Sequence, residues 1–346
     1  MDRDRAFGRG LPPRAADARI APERDRSRPI PITDAHATPD VAPTDADHAA
    51  EPSQRIRLSD VGARLRAFRM GRGLTPEDVA ARIGISRAAL YRAEQGQIPK
   101  IETLAGIADV LDTSLASLLG AGIEYVPTAV AFFERMRQLE EASHEIIGLF
   151  APVSYLLTSD AYDAMLAEVL REGPRAGDGD GAALETLLAV LRERKAWFRA
   201  AKPAIVSLIS SSDIERFLAH GAVGRYDLDE ATILRRRREA RREVEHIAAL
   251  VADPPANVAI GIVLEPTPAT TFQIFRQADR SVLAISPFRL GEQPNVRLGV
   301  ALITSAPEPM ALHEEIAARL RASALRGEAA LAHLRALLAR HGAEPA

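Results

Sequence analysis

The sequence predicts a multidomain protein with a disordered N-terminal tail, an all-α domain containing a helix-turn-helix, and a C-terminal α/β domain. Residues 1–54 hold eight prolines, eight arginines and ten acidic residues, a composition that cannot bury enough apolar surface to order the chain. Residues 76–95 have the small residues and glycine turn that two crossing helices require. Residues 144–346 alternate between apolar and amphipathic segments, which predicts strands alternating with helices.

The first helix of the helix-turn-helix is predicted to begin after Thr75, whose hydroxyl can cap a free backbone N–H. Pro76 suits the first helical position. Glu77 and Asp78 follow in the first turn, where the helix dipole favours negative charge. Ala80 has only a methyl group and allows a second helix to pass close by. This is a well-signalled helix start.

The turn and the second helix follow directly. Gly84 can adopt the left-handed conformation that ends a helix, and Ser86 can cap a new helix that begins at Arg87. A rotation of about 100° per residue turns Leu90 and Ala93 inward. The same rotation places four side chains on the outward face: Arg87, Ala88, Tyr91 and Arg92.

The segment from about Leu58 to Leu119 resembles the Cro/repressor (XRE) family of helix-turn-helix regulators. The resemblance is carried by these residues: Leu74, Thr75, Ala80, Gly84, Leu90, Glu94, Gly96, Pro99, Thr103, Leu104, Ile107, Ala108, Leu111, Leu118 and Leu119. It implies a five-helix DNA-binding domain over residues 55–121, with double-stranded DNA as the partner. The family usually has glutamine at the position of Pro76, so the phosphate contact of that glutamine is not expected here.

The resemblance also implies how DNA would be held. Arg87 is expected to bind the O6 and N7 atoms of guanine, with Arg92 contacting a base or a phosphate. Tyr91 and Ala88 are expected to touch bases or thymine methyl groups. The alternative is that these side chains are exposed at the surface without contacting DNA. For Tyr91 the two interpretations are about equally supported.

Other positions are expected to orient the domain. Ser86, Thr75 and Lys100 would contact phosphates, although Ser86 and Thr75 are helix caps first. In the family, the position of Arg69 pairs with the acid at the end of the recognition helix, here Glu94. We therefore expect a structural ion pair rather than a DNA contact.

Composition narrows the class of protein. The formal charge is -3, so DNA affinity must be local, and residues 55–112 hold ten basic against seven acidic side chains. The absence of cysteine excludes disulfides, thiolate nucleophiles and cysteine zinc sites. No apolar run reaches the roughly 18 to 20 residues of a membrane span. A cytoplasmic protein is expected.

After a connecting helix within residues 122–143, the α/β domain is expected to span residues 144–346. Its predicted strands are residues 144–151, 204–209, 258–264, 271–276, 281–285 and 296–304. Its predicted helices are residues 160–170, 182–201, 213–221, 229–251, 311–322 and 328–340. In the long helix, the arginines of residues 235–242 are interleaved at helical spacing with Glu239, Glu243 and Glu245, which predicts a solvated face rather than a second DNA site.

The α/β domain weakly resembles a phospholipase-D-like effector domain, through the segment TFQIFRQADRSVLAISPF among others. Active members carry His, Lys and Asp in an HxKxxxxD frame, which reads Phe272, Ile274 and Asp279 here. Because two of the three groups are replaced, the resemblance implies sensing rather than cleavage. Two His-Glu pairs, at residues 144–145 and 313–314, lack the second histidine of a zinc peptidase. No metal or cofactor is expected.

The sequence therefore favours a non-enzymatic transcriptional regulator, a homodimeric repressor whose second domain senses an unknown small molecule, pairs subunits, or both. One alternative is an antitoxin-like protein-interaction module, although such proteins are usually much shorter. Another is an enzyme with a DNA-tethering head, whose pocket would use Ser154, Tyr155, Asp160 and residues 210–213.

Overall fold

A computed structural model describes residues 57–97, 100–172, 180–225 and 227–342. The predicted disordered tail and Pro99 lie outside the described residues. The helical region contains α1 (Leu58–Gly71), α2 (Pro76–Ile83), α3 (Arg87–Glu94), α4 (Ile101–Val110) and α5 (Leu115–Leu119). The α/β region contributes helices α6 (Ala129–Glu141), α7 (Asp160–Glu172), α8 (Asp180–Ala201), α9 (Ser211–His220), α10 (Glu230–Ala252), α11 (Pro307–Ser323) and α12 (Gly327–Arg340).

The described strands form one mixed seven-stranded sheet with the order β1-β7-β6-β5-β2-β3-β4. They are β1 (Ile123–Val126), β2 (Ser143–Phe150), β3 (Ala204–Ser210), β4 (Val258–Val263), β5 (Thr271–Gln277), β6 (Ser281–Ser286) and β7 (Ala301–Thr304). Strands β2, β3 and β4 are parallel, and the other pairings are antiparallel. The predicted alternation of strands and helices thus produces an α/β sheet, with the parallel part where helices connect consecutive strands.

Two strands differ from the sequence-based prediction. Strand β1 was not expected; it precedes α6 and pairs with β7, where Ile123 lies opposite Thr304. Strand β7 is shorter than the predicted residues 296–304, because Gly299 adopts a positive φ of 147° and Pro287 packs against it. Residues 287–300 form a loop instead, and this loop lines the cavity described below.

The sheet is covered on both faces. Helix α11 packs on one face over an apolar cluster that includes Ile147, Phe272, Ile274 and Leu320. The other face belongs to a larger core that continues without a break into the helical region, from Val61 to Leu338. The helix-turn-helix region therefore shares its core with the sheet.

Helix α1 is held against α6 by apolar packing and by polar contacts. Gln138 donates a hydrogen bond to the carbonyl of Ala63 (3.1 Å). Glu124 on β1 accepts hydrogen bonds from Arg64 of α1 (3.0 Å) and from Arg135 of α6 (2.7 Å), and all three residues are buried. A single carboxylate thus joins the helical region, the sheet and α6.

The arginine-rich face of α10 is only partly solvated, contrary to the prediction. Arg236 is fully buried, and its guanidinium pairs with Glu172 (2.5 Å) and with Glu168 (3.0 Å), both on α7. Glu243 is buried as well and accepts hydrogen bonds from Ser159. The i+4 pattern could not show that α7 covers this part of the helix.

Candidate nucleic-acid interface

The start of α2 forms a capping box. The Thr75 hydroxyl accepts a hydrogen bond from the Asp78 N–H (3.1 Å), and the Thr75 N–H donates to the Asp78 carboxylate (2.8 Å). The Thr75 hydroxyl also donates to this carboxylate (2.7 Å) and lowers the pKa of Asp78 below its ordinary value. Two orphan N–H groups are satisfied reciprocally, which defines where α2 begins.

The turn between α2 and α3 has the predicted chemistry. Gly84 has φ 71° and ψ 31°, the left-handed conformation in which glycine carries no steric cost. Ile85 packs against the core, and Ser86 accepts a hydrogen bond from the Ala89 N–H (3.1 Å) to cap α3. These local interactions fix the angle at which α3 leaves α2.

The inner side of α3 is closely packed. Leu90 and Ala93 are fully buried. At Gly62 on α1, an added Cβ atom would lie 2.6 Å from the carbonyl oxygens of Ala93 and Glu94. Only glycine allows α1 to come this close to the end of α3. Gly62 was missed at the sequence level because a glycine inside a helix gives no local signal of a neighbouring helix.

The outer side of α3 is open to solvent. Arg87, Ala88, Tyr91 and Arg92 are all exposed, and Tyr91 exposes 61% of its surface. The structure brings these four predicted contact residues together on one uncovered face. An α-helix with such a face can enter the major groove of B-DNA.

Arg87 has an acidic neighbour on α2. Its Nε atom lies 2.7 Å from an Oε atom of Glu77, and the two side chains are 72% and 52% exposed. An ion pair this exposed contributes at most about 1 kcal/mol, so a guanine or phosphate can replace the carboxylate. Glu77 was predicted only as a helix-start acid, and its contact with Arg87 depends on the angle between α2 and α3.

Arg69 and Glu94 form a two-pronged ion pair, with N–O distances of 2.6 and 3.2 Å. Arg69 also donates to the carbonyl of Leu74 (2.9 Å), which precedes the cap of α2. Both charged side chains are largely buried. The pair thus ties α1 to the end of α3 and to the entry of α2, and Arg69 does not face solvent as a DNA contact would.

The three residues predicted to contact phosphates differ in the donor groups that remain available for a phosphate. The N–H and O–H donors of Thr75 both serve the capping box, so neither remains for a phosphate. Ser86 uses only its acceptor in the cap, and its hydroxyl proton has no acceptor among the described residues. Lys100 occupies the N-cap position of α4 and is exposed. Ser86 and Lys100 are therefore better placed to bind phosphate than Thr75.

Two further arginines were not singled out by sequence. Arg82, in the last turn of α2, is exposed, and its charge interacts with Asp78 one turn earlier without a direct ion pair among the described residues. Arg72 donates to the carbonyls of Leu111 (2.9 Å) and Asp112 (3.1 Å), so it fastens α1 to the end of α4. Arg82 adds local positive charge, whereas Arg72 is structural.

The cap, turn and exposed face define a helix-turn-helix domain. Residues 60–119 match the model of a family described as a helix-turn-helix domain. No curated protein matches the chain. The chain therefore contains a helix-turn-helix DNA-binding domain, and DNA is the partner that this domain indicates.

The α/β region holds the other residues considered from sequence. Phe272 and Ile274 of the HxKxxxxD frame are buried under α11, and Asp279 pairs with Arg57 in the turn after β5. Ser154, Tyr155 and Ser210 are buried, whereas Asp160 is exposed and pairs with Arg199. These side chains do not converge on one site.

Among the residues that the structure describes, no group of three or more histidine, aspartate or glutamate side chains is arranged to hold a metal ion. Of the helices described, none combines the length and the apolar character that crossing a membrane requires.

Proposed function

We propose that this protein is a sequence-specific transcriptional regulator of the Cro/repressor (XRE) type. It would act as a homodimeric repressor whose α/β domain senses a small molecule without catalysing a reaction. The observation that supports this most is the outward face of α3, where Arg87, Tyr91 and Arg92 are exposed on a helix anchored by α1. The family match of the helix-turn-helix supports DNA as the partner.

In this proposal, Arg87 leaves Glu77 and donates two hydrogen bonds to one guanine in the major groove. Arg92 contacts the neighbouring base or phosphate. Ser86 and Lys100 bind the phosphates on either side and set the position of α3 along the groove. The buried Arg69–Glu94 pair keeps the helix rigid, so little ordering entropy is lost on binding.

Dimerisation is proposed because one recognition helix covers only a few base pairs, and two copies related by a two-fold axis address half-sites about one helical turn apart. Strand β1 supports this, since it lies at the edge of the sheet and exposes Ile123 and Tyr125. A sheet edge with exposed apolar side chains is suited to pairing with a second copy. Light scattering of the purified protein should give the mass of a dimer. If a single protomer were bound to a full-length operator, the proposed dimerisation would be contradicted.

The sensing role of the α/β domain is proposed from the altered HxKxxxxD frame. In place of the nucleophilic histidine and the lysine, Phe272 and Ile274 contribute to the apolar core. A phospholipase-D-like ancestry would then leave a ligand-binding scaffold that cannot form a phosphoenzyme.

The proposal is tested by selecting bound fragments from random DNA and then measuring affinity for the selected operator. Arg87→Ala should weaken operator binding by about 1 to 3 kcal/mol and relax the preference at one base position. Arg238→Ala, which removes an exposed arginine on α10, is the matched control and should change neither. Equal weakening by Arg87→Ala on all DNA sequences would contradict base recognition.

One contact favours a second candidate, an enzyme with a helix-turn-helix head. The Ser211 hydroxyl lies 2.7 Å from Nε2 of His333, as in a nucleophile and base pair. Within the described residues no carboxylate hydrogen bonds to His333, and neither side chain lines a described cavity, so we favour a structural bond between α9 and α12. A fluorophosphonate probe decides: labelling at Ser211 supports the enzyme, and an unlabelled protein supports the sensor.

A further inference from the structure

The largest described cavity lies where the parallel strands β2 and β3 end. It has a volume of about 480 Å³. Its walls come from the segment after β2 (Ala151 and Pro152), helix α9, the start of α10, and the loop of residues 287–300. Ligands of open α/β sheets bind at the carboxyl ends of the strands, and this volume is typical of small-molecule sites.

The cavity carries unbalanced positive charge. Arg237 of α10 and Arg289 of the loop both line it, and neither side chain has a hydrogen-bond or ion-pair partner among the described residues. Arg237 follows directly after Arg236, whose charge is fully paired. Two guanidinium groups that line one cavity without a partner among the described residues attract an anion.

A second pair of polar side chains in the cavity is held in place. Glu292 accepts a hydrogen bond from Arg216 (3.1 Å) and contacts Nδ1 of His220 (2.8 Å). Its backbone carbonyl accepts from the N–H of Val223 (2.8 Å). The Glu292 side chain is mostly buried, whereas Arg216 and His220 are half exposed. Glu292 thus contacts two donors that line the cavity and ties the loop to α9, and Asp213, also in the lining, forms a second ion pair with Arg216.

The rest of the wall is apolar. Pro152, Val223, Leu228 and Ile233 line the same cavity. Ile233 is only half-buried and lines this space. A small inorganic anion would leave these side chains without contacts, whereas a molecule with an apolar body would cover them.

We propose that this cavity binds a small amphiphilic anion, a carboxylate or phosphate monoester on an apolar body. The head group lies between Arg237 and Arg289, and the body lies against Leu228 and Ile233. The inference rests on the proposed sensing function and gives it a ligand class.

The cavity is connected to the DNA-binding region by packing. Phe288 precedes Arg289, and its ring packs against that of Phe132 on α6 at a centroid distance of 5.8 Å. Helix α6 packs against α1, which holds α3 through Arg69. A ligand that draws the loop towards α10 would therefore act on the helix that supports the recognition helix.

Three probes of equal chain length test the proposal on the full chain: octanoate, octyl phosphate and octanol. Titration calorimetry should show binding of at least one of the two anions, and octanol should bind at least tenfold more weakly. Arg237→Gln and Arg289→Gln should each weaken anion binding by at least about tenfold, the lower end of the range for a hydrogen bond to a charged group. Both arginines are exposed and their side chains have no partner in the described part of the chain, so the folded state should be unaffected. Arg238→Gln, beside Arg237 but outside the cavity, should bind like the wild type.

Any one of three results would overturn the proposal. These are equal affinity for octanol and the anions, unchanged anion affinity in both glutamine variants, and no binding of any probe. Preference for octyl phosphate over octanoate would identify the head group as a phosphate, and the reverse preference a carboxylate. Operator binding is measured on the same samples without probe. If Arg289→Gln loses anion binding but keeps its operator affinity, the result supports an anion site in this cavity. If the wild type binds the anion but no DNA, only the proposed regulator function is contradicted.

Discussion

The buried carboxylate of Glu124 should determine whether the helical region stays attached to the sheet. Its side chain is 2% exposed and neutralises two guanidinium groups, Arg64 and Arg135, through N–O distances of 2.7 to 3.1 Å. Burial lowers the pKa of Arg64, and Glu124 opposes that effect by stabilising the charged form. Removing the carboxylate leaves two buried positive charges close together without the anion that they share.

The expected cost of Glu124→Ala is at least about 3 to 5 kcal/mol of unfolding free energy, the range measured when one partner of a buried ion pair is removed. A typical domain has about 5 to 15 kcal/mol in total, so the variant should unfold at a much lower denaturant concentration. Glu124→Gln keeps one acceptor oxygen and should lie between the wild type and the alanine variant, since hydrogen bonding without charge compensates only part of the loss.

Urea unfolding, followed by circular dichroism, measures these values. The matched control is Glu185→Ala, which breaks the exposed pair with Arg171 (2.8 Å). An exposed pair contributes about 0 to 1 kcal/mol, so the control should lie near the wild type. If Glu124→Ala cost no more than Glu185→Ala, the guanidinium groups would have other compensation and the argument from buried charge would be wrong.

Three further outcomes follow from the helix-turn-helix geometry. Gly62→Ala should cost about 1 to 3 kcal/mol of unfolding free energy, because the added Cβ would overlap the end of α3. The control Gly106→Ala should stabilise α4, because its added Cβ would meet only Ile83, at 3.8 Å; equal effects of the two substitutions would contradict the close approach of α1 and α3. Thr75→Ala should raise the pKa of Asp78 towards its ordinary value, as read by NMR titration. The lowered pKa in the wild type stabilises the native state above about pH 4, and this contribution is lost as the pH falls through the pKa of Asp78 in the folded protein. The stability of the variant should therefore depend less on acid pH than that of the wild type. Glu77→Gln should tighten operator binding up to about tenfold in fluorescence anisotropy, because it frees Arg87 and removes a negative charge near the phosphates; weaker binding would show that Glu77 positions Arg87 instead.

The local features of the helix-turn-helix could be predicted from residue order alone. The capping box of Thr75 and Asp78 involves residues three apart, and the left-handed turn at Gly84 depends on its own backbone. The exposure of Arg87 and Tyr91 follows from helical rotation once Leu90 is buried. Each of these depends on interactions within one turn of helix or one tight bend, whose spacing is visible in the sequence.

The tertiary structure decided the features that depend on distant segments. Strand β1 was not recognised because four residues carry little periodic signal and its partner, β7, lies near the other end of the chain. The burial of Arg236 and the charge of the cavity depend on which helix covers α10 and where the loop after β6 lies. A pattern of charges can show that a helix has a polar face. Only packing decides whether that face contacts water, a glutamate or a ligand, because burial is set by the segments that fold against it.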